Sequence, residues 1–175
     1  MKILVFLLFT ISLNSWSLDT IIQNSQLLSG KKVSSLAKAK KGHVIFFLSG
    51  ACPCTKKHIP YLESLAKDHP DFRFLGVHSN SLESFAKAKK VYQDTKFPIA
   101  YDEDAKIANF FKAIKTPHVF VITNEDKTLY HGGVTNSMDP KRAKKFYLEN
   151  ALNDLKKSRE VETKFAKALG CYIVR

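Results

Sequence analysis

Three cysteines are the residues of this sequence best suited to chemistry. Cys52 and Cys54 flank Pro53, and Cys171 lies four residues before the last residue. A cysteine thiolate attacks disulfides and peroxides, and it also binds metals. The segment around Cys52 is therefore a candidate redox centre, metal site or structural disulfide.

The position of Cys52 in the chain favours reactivity. Residues 43–48 are an apolar run between two glycines, which predicts a buried strand, and a helical pattern follows from Pro53. The N-terminus of a helix favours negative charge and can lower a cysteine pKa from about 8.5 to about 3.5–7.5. Lys56 and Lys57, one turn further on, add positive potential. We expect Cys52 to be the catalytic nucleophile.

The roles of Cys54 and Cys171 stay open at this level. Cys54 could close on Cys52 to resolve a mixed disulfide, or it could be a spare thiol. Cys171 could resolve a mixed disulfide if the C-terminal tail moves, or it could hold that tail in place through a permanent disulfide. Because adjacent positions keep two sulfurs close, we predict a Cys52–Cys54 bond after oxidation, with Cys171 reduced or held by another molecule.

A metal site is the alternative chemistry. Two thiolates and an imidazole suit Cu(I) or Zn(II), and His58 follows Cys54 at helical spacing. His118 is a second imidazole, at the start of a predicted strand. A surface position for His58 and a strand-start position for His118 are the simpler interpretations, and His43, His69, His78 and His131 show no ligand pattern. We predict no metal and no cofactor.

The elements that must position these residues predict an α/β domain with a central mixed sheet. The apolar patterns predict strands at 43–48, 72–79, 118–123 and 128–134, an extended piece at 97–104, and helices at 53–69, 81–94, 103–113 and 139–159. A four-residue turn at 124–127 makes the last two strands a hairpin. Ser81 is the expected cap of the second helix, and Pro60 should kink the first.

The N-terminus has the anatomy of a secretory signal peptide. Lys2 precedes an apolar run of 11 residues, and Ser15 and Ser17 suit cleavage before Leu18. The run is shorter than the roughly 20 residues of a membrane span, and a buried strand or an uncleaved anchor is the alternative. We predict a signal peptide at 1–17, one domain at 18–175, a periplasmic or secreted location, and no membrane span after cleavage.

The formal net charge of +12 limits the expected partners. An exported protein rarely meets nucleic acid, so we expect no nucleic-acid partner. The basic balance favours anionic envelope surfaces or an acidic partner, or it is simply a solvated lysine-rich face. Export also implies an oxidising compartment, in which disulfides can form. Three cysteines cannot all pair within one chain.

The order of these features resembles the thioredoxin fold. That fold has a cysteine at a helix N-terminus, a proline eight positions later, and a cis-proline just before a central strand. Cys52, Pro60 and Thr116-Pro117 match these positions, and the resemblance covers roughly residues 33–158. It implies that Pro117 is cis beside Cys52 and that Thr116 and Pro117 bind substrate.

Within that fold the chain is similar to exported redoxin-domain proteins of the alkyl hydroperoxide reductase and thiol-specific antioxidant group. The matching motifs are Cys52-Pro53, Thr116-Pro117, Tyr130-His131-Gly132 and Gly170-Cys171-Tyr172-Ile173. This resemblance implies an oxidoreductase whose partners are protein or small-molecule thiols and disulfides, with hydroperoxide as a further candidate substrate.

Several positions depart from the related enzymes. Thr55 stands where thioredoxin-type reductases have a second cysteine, and Ala51 replaces their tryptophan. Ser49 can fill the hydroxyl position of thiol peroxidases, but Ile45 replaces their proline. No arginine is evident for peroxide binding among Arg73, Arg142, Arg159 and Arg175. We therefore expect thiol–disulfide exchange, with a peroxidase, a Cu(I) carrier or a non-catalytic binding protein as alternatives.

Overall fold

The computed structural model describes residues 18–23, 25–33, 36 and 38–175, so the predicted signal peptide at 1–17 lies outside the described residues. The helices are α1 (Leu18–Ile22), α2 (Pro53–Asp68), α3 (Phe85–Val91), α4 (Lys106–Phe110) and α5 (Tyr147–Lys156). The strands are β1 (Gln26–Leu27), β2 (Gly42–Leu48), β3 (Phe72–His78), β4 (Ile99–Tyr101), β5 (Lys115–Thr116), β6 (His118–Ile122), β7 (Thr128–Gly132) and β8 (Cys171–Tyr172).

The main sheet is mixed, as the sequence predicts. Its six strands run in the order β1-β4-β3-β2-β6-β7. Strands β2, β3 and β4 are parallel to one another, whereas β6 and β7 form the predicted antiparallel hairpin beside β2. A separate two-stranded sheet joins β5 to β8 at the C-terminus of the chain.

The hydrophobic core lies on both faces of this sheet, because β2 is central and its side chains alternate between the faces. Phe46 packs in a cluster with Leu62 of α2 and Leu148 of α5. Phe47 points the other way and packs in a second cluster with Ile107 of α4. All seven residues of β2 are buried, which explains why its sequence reads as a continuous apolar run.

Two predicted helices are shorter than expected because side chains capture their backbone N–H groups. The helix expected at 81–94 begins only at Phe85, where Ser84 rather than Ser81 accepts the capping hydrogen bond. In the helix expected at 103–113, the carboxylate of Asp102 accepts hydrogen bonds of 2.9 Å from the backbone N–H groups of Ile107 and Ala108, and α4 spans only Lys106–Phe110.

The long helix expected at 139–159 is also wrong. It consists of a 3₁₀ turn, Pro140–Arg142, and the separate helix α5. Between them the side-chain oxygen of Asn136 accepts hydrogen bonds of 2.9 Å from the backbone N–H groups of Lys144 and Lys145, which diverts both groups from helical pairing. Among the residues that the structure describes, no helix is long and apolar enough to cross a membrane.

Candidate active site

Cys52 lies at the point where the chain leaves the sheet and enters α2. It is the N-cap residue, with φ −80° and ψ 114°, and Pro53 begins the helix. Its side chain is 1% exposed, and its thiol donates a hydrogen bond of 3.1 Å to the backbone oxygen of Thr116. The predicted position of Cys52 at a helix N-terminus is therefore confirmed.

The partner of Cys52 belongs to the segment that the resemblance singled out. The Thr116–Pro117 peptide bond is cis, as expected, and both residues are buried beside the cysteine. The hydroxyl group of Thr116 is buried and has no hydrogen-bond partner among the described residues. A donor of this kind next to a sulfur is available to a thiolate, since a thiolate accepts hydrogen bonds and a carbonyl oxygen cannot donate one.

Cys171 is brought to the same place by the C-terminal strand. In the antiparallel pair of β5 and β8, Cys171 lies opposite Thr116. The tail is therefore not free to swing, contrary to one interpretation of the sequence. The backbone N–H of Ile173 donates to the backbone oxygen of Ile114 at 3.1 Å, and the Ile173 side chain is buried.

The three thiols have different acidities. Burial alone would raise the pKa of Cys52, but hydrogen bonds from the Cys171 thiol, the Thr116 hydroxyl and the Thr55 N–H stabilise its thiolate and lower the pKa to about 7. Burial and the nearby Cys52 sulfur raise the pKa of Cys171 to about 12. Burial and the Cys52 charge also raise the pKa of Cys54. Cys52 is thus the thiol that ionises near neutral pH.

The two lysines after the cysteine pair are not the main source of this acidity. Lys57 forms an ion pair of 3.2 Å with Asp139, and the principal groups that lower the Cys52 pKa are hydrogen-bond donors. The thiol itself makes no capping hydrogen bond to the first turn of α2, so the Thr55 N–H acts on the ionised form.

A buried carboxylate holds the turn that carries Cys52, and sequence analysis missed it. Glu83 is 1% exposed. Its Oε1 atom accepts hydrogen bonds from the Ser49 hydroxyl at 2.6 Å, from the Ala51 N–H at 3.1 Å and from the Asn80 amide. The polar run around Glu83 in the sequence gives no signal that this side chain is buried.

Several buried polar atoms at or near Glu83 have no hydrogen-bond partner in the part of the chain that the structure describes. They include Glu83 Oε2 itself, both ring nitrogens of His78 and the hydroxyl of Tyr92. Burial would raise the pKa of Glu83, but the bonds from Ser49 and Ala51 hold it below its ordinary value. Burial lowers the pKa of His78. An ionised Glu83 therefore lies behind the Cys52 turn beside a neutral His78.

The histidines are structural. His58 is buried rather than on the surface as expected, because its Nδ1 bonds to the Cys54 backbone oxygen at 2.8 Å and its Nε2 to the Thr135 hydroxyl at 3.4 Å. His118 begins β6 as predicted, and burial lowers its pKa to about 4. Within the described part of the chain, no group of three or more His, Cys, Asp or Glu side chains could hold a metal ion.

The residues considered for peroxide chemistry have other contacts. Ile45 is buried in the core beneath the sheet, and the Ser49 hydroxyl donates to Glu83. Arg159 pairs with Asp154, and Arg175 bonds to Asn109 and to the backbone oxygen of Ala113. Neither of these guanidinium groups is hydrogen-bonded to the Cys52 sulfur.

Comparisons with solved structures identify the fold. An uncharacterized conserved protein from Geobacillus kaustophilus superposes with a TM-score of 0.77 at 26% identity, over 87% of this chain and 88% of that chain. A hypothetical protein from Sinorhizobium meliloti 1021 gives a TM-score of 0.74 at 22% identity, over 85% and 88% of the two chains.

A structure whose activity is named has the same fold, with lower similarity to this chain. It is a secreted Mycobacterium tuberculosis disulfide oxidoreductase homologous to E. coli DsbE, with a TM-score of 0.54 at 17% identity over 62% of this chain and 81% of that chain. The expected thioredoxin-like fold is thus confirmed. No curated protein matches the chain. The sequence profile of the AhpC/TSA family matches residues 19–131, and the chain is therefore a member of that family of redoxin-domain proteins.

Proposed function

We propose that this protein is an exported thiol–disulfide oxidoreductase that reacts through Cys52. One observation carries the proposal: a buried cysteine with a pKa of about 7 lies at a helix N-terminus beside a cis-proline and a second thiol. An inert buried cysteine would have a raised pKa, because burial disfavours the thiolate.

The chemistry is exchange through a mixed disulfide. The Cys52 thiolate attacks one sulfur of a substrate disulfide, a bond forms between them, and the other substrate sulfur leaves as a thiolate. A second cysteine of the protein then attacks Cys52 and releases the substrate in its reduced form. The reverse sequence oxidises a substrate dithiol.

The proposed partner is a protein thiol or disulfide, with small-molecule thiols as a second substrate class. Large apolar side chains are exposed on the two segments that flank Thr116 and Cys171. Ile114 is 52% exposed and Tyr172 is 71% exposed. Such side chains beside a nucleophile favour a polypeptide, because they gain buried apolar area only when a large partner covers them.

Thr116 and Pro117 are proposed to bind that partner, since the Thr116 backbone oxygen lies 3.1 Å from the Cys52 sulfur and Pro117 follows it directly. We also propose that residues 1–17 are a signal peptide and that the mature chain is a single domain from Leu18. The charged start, the apolar run and the small residues before Leu18 support this, and a structurally similar Mycobacterium tuberculosis protein is described as secreted.

Reduction of a model protein disulfide, such as that of insulin, tests the activity in the presence of a dithiol donor. Cys52→Ser should abolish the catalysed rate. Ser137→Ala, a change in the loop after Thr135, should leave it unchanged. Consumption of hydroperoxide that requires both Cys52 and a thiol donor, without disulfide reduction, would instead assign the protein as a peroxidase.

A further inference from the structure

We propose that Cys171 is the thiol that closes on Cys52, so that strand β8 supplies the second redox-active cysteine of the site. This inference rests on the proposed function and replaces the Cys52–Cys54 pair that the sequence predicts. It follows from where the fold places the last strand of the chain.

Cys52 and Cys171 both lie beside Thr116. The Cys52 sulfur lies 3.1 Å from the backbone oxygen of Thr116, and Cys171 lies opposite Thr116 across β5 and β8. The Cys171 thiol is also one of the groups that lower the pKa of Cys52. A disulfide needs its Cα atoms roughly 4.4–6.8 Å apart, and the position of both cysteines beside Thr116 makes such a separation accessible.

The fold holds Cys171 in this position from both sides. Gly170 has φ +147°, and a Cβ atom there would lie 2.0 Å from the backbone oxygen of Thr116, so only glycine allows the close approach. On the other side, the Lys115 ammonium lies 3.8 Å from the centre of the Tyr172 ring, and the N–H of Ile173 bonds to Ile114. Folding therefore already closes the long loop between Cys52 and Cys171, and formation of the disulfide does not have to close it.

Cys54 also interacts with the Cys52 sulfur, but a bond between these two cysteines would disturb the helix. It lies in the first turn of α2, where the backbone N–H of Lys56 bonds to the Cys52 oxygen at 3.2 Å and His58 bonds to the Cys54 oxygen. A Cys52–Cys54 bond would require this turn to loosen and both contacts to change. The Cys52–Cys171 bond leaves the first turn of the helix intact.

The exchange step balances with Cys171 as the resolving thiol. When Cys52 is joined to the substrate, its negative charge is gone, and one cause of the raised Cys171 pKa disappears. The Cys171 sulfur then attacks the Cys52 sulfur. The Cys52–Cys171 bond forms, the Cys52–substrate bond breaks, and the Cys171 proton passes to the departing substrate thiolate. The substrate disulfide gains two electrons, and the two protein thiols lose two.

Peptide mapping of the full chain after oxidation by glutathione disulfide tests the pairing. Trypsin places Cys52 and Cys54 together in the peptide 42–56 and Cys171 in the peptide 168–175. We expect these two peptides to be joined in the wild type and in Cys54→Ser, and to be separate in Cys52→Ser. An internal bond within 42–56, with peptide 168–175 free, would overturn the inference.

Kinetics provide a second readout. In Cys171→Ser the mixed disulfide of Cys52 with glutathione should persist and accumulate about tenfold over the wild type, whereas Cys54→Ser should behave as the wild type. The opposite pattern would assign the resolving role to Cys54.

A pair of glycine variants distinguishes the effect of displacing β8 from the effect of backbone strain in general. Gly170→Ala should displace β8 and lower the equilibrium constant for the Cys52–Cys171 bond, measured in a glutathione buffer, about tenfold. Gly30→Ala is the control, because Gly30 also has a positive φ of +92° but a Cβ atom there meets no atom of the described residues within 4 Å. Equal effects of the two variants would contradict a role for the β8 position.

Failure of this inference is distinguishable from failure of the proposed function. If Cys52 reduces a model disulfide but pairs with Cys54, the function stands and the role of Cys171 is wrong. If Cys52 neither reacts with a thiol reagent near neutral pH nor reduces a model disulfide, both are wrong.

Discussion

The thiol of Cys52 donates a 3.1 Å hydrogen bond to the backbone oxygen of Thr116, while the hydroxyl of Thr116 is buried without a hydrogen-bond partner in the described part of the chain. One residue therefore offers an acceptor to the protonated sulfur and a donor to the ionised one. The carbonyl oxygen serves the thiol, and the hydroxyl serves the thiolate. Thr116 can thus form a hydrogen bond with the Cys52 sulfur both before and after ionisation, without a change in the backbone.

Replacement of Thr116 by valine should raise the pKa of Cys52. The substitution keeps the shape of the side chain but removes the hydroxyl donor, and a hydrogen bond to a charged group contributes about 1.5–3 kcal/mol. We expect the pKa to rise by about one unit from about 7. The measurement is the rate of alkylation of Cys52 as a function of pH.

Thr128→Val is the matched control for this variant. Thr128 is exposed at the start of β7, opposite Ile122 and so at the far end of β6 from Pro117. Its replacement should leave the pKa of Cys52 unchanged. An unshifted pKa in Thr116→Val would show that the other donors to the sulfur suffice.

The pH dependence of thiol reactivity should be set by Cys52 alone near neutrality. Its pKa of about 7 lies below the ordinary value, so the thiolate fraction rises as the pH increases through 7. We expect the alkylation rate to fall about fivefold from pH 7 to pH 6 and to level off above pH 8. Cys54 and Cys171, whose pKa values are raised, should remain unmodified there. A fast neutral-pH reaction that survives in Cys52→Ser would contradict this assignment.

Loss of the Glu83 carboxylate should destabilise the turn before Cys52. In Glu83→Ala the Ser49 hydroxyl, the Ala51 N–H and the Asn80 amide all lose their shared acceptor in a buried site. We expect the free energy of unfolding, measured by urea denaturation, to decrease by about 2–4 kcal/mol.

A more exposed glutamate provides the control for Glu83. Glu63 accepts one hydrogen bond of 3.0 Å from the Lys96 N–H at an exposed site. Glu63→Ala should lower the free energy of unfolding by about 1 kcal/mol or less. If the two variants lose equal stability, the carboxylate of Glu83 is not the acceptor on which the turn depends.

Signal cleavage before Leu18 should create a new ionic contact. The Leu18 nitrogen lies 2.9 Å from a carboxylate oxygen of Asp126, and the Leu18 side chain is 1% exposed. In a chain that begins at Leu18 this nitrogen is an ammonium group. Asp126→Asn should therefore lower the free energy of unfolding by about 1–2 kcal/mol in that chain and by less in the uncleaved chain.

The mass of the exported protein gives the position of its first residue, and urea denaturation gives the two stabilities. Asp94→Asn is the control, because Asp94 accepts a 3.5 Å hydrogen bond from its neighbour Gln93 at an exposed site. An exported chain that begins elsewhere than Leu18, or an equal loss in both chains, would contradict the proposed contact.

Local sequence patterns determined the elements around the nucleophile. The apolar run before Cys52 and the helical spacing after Pro53 predict β2 and α2 closely, because burial on both sheet faces and a fixed proline φ act on neighbouring residues. The cis bond at Pro117 was also predicted, through the resemblance of Thr116-Pro117 to the thioredoxin fold. The strand and helix patterns therefore predict the position of Cys52 between β2 and α2 from neighbouring residues alone.

The tertiary structure alone decided what surrounds the sulfur. The pairing of Cys171 with Thr116 and the burial of Glu83 against Ser49 join segments that are distant in sequence. The burial of His58 depends likewise on Thr135 from another segment. A composition or a spacing cannot specify such contacts, because they depend on strand pairing and side-chain packing that exist only once the whole sheet has formed.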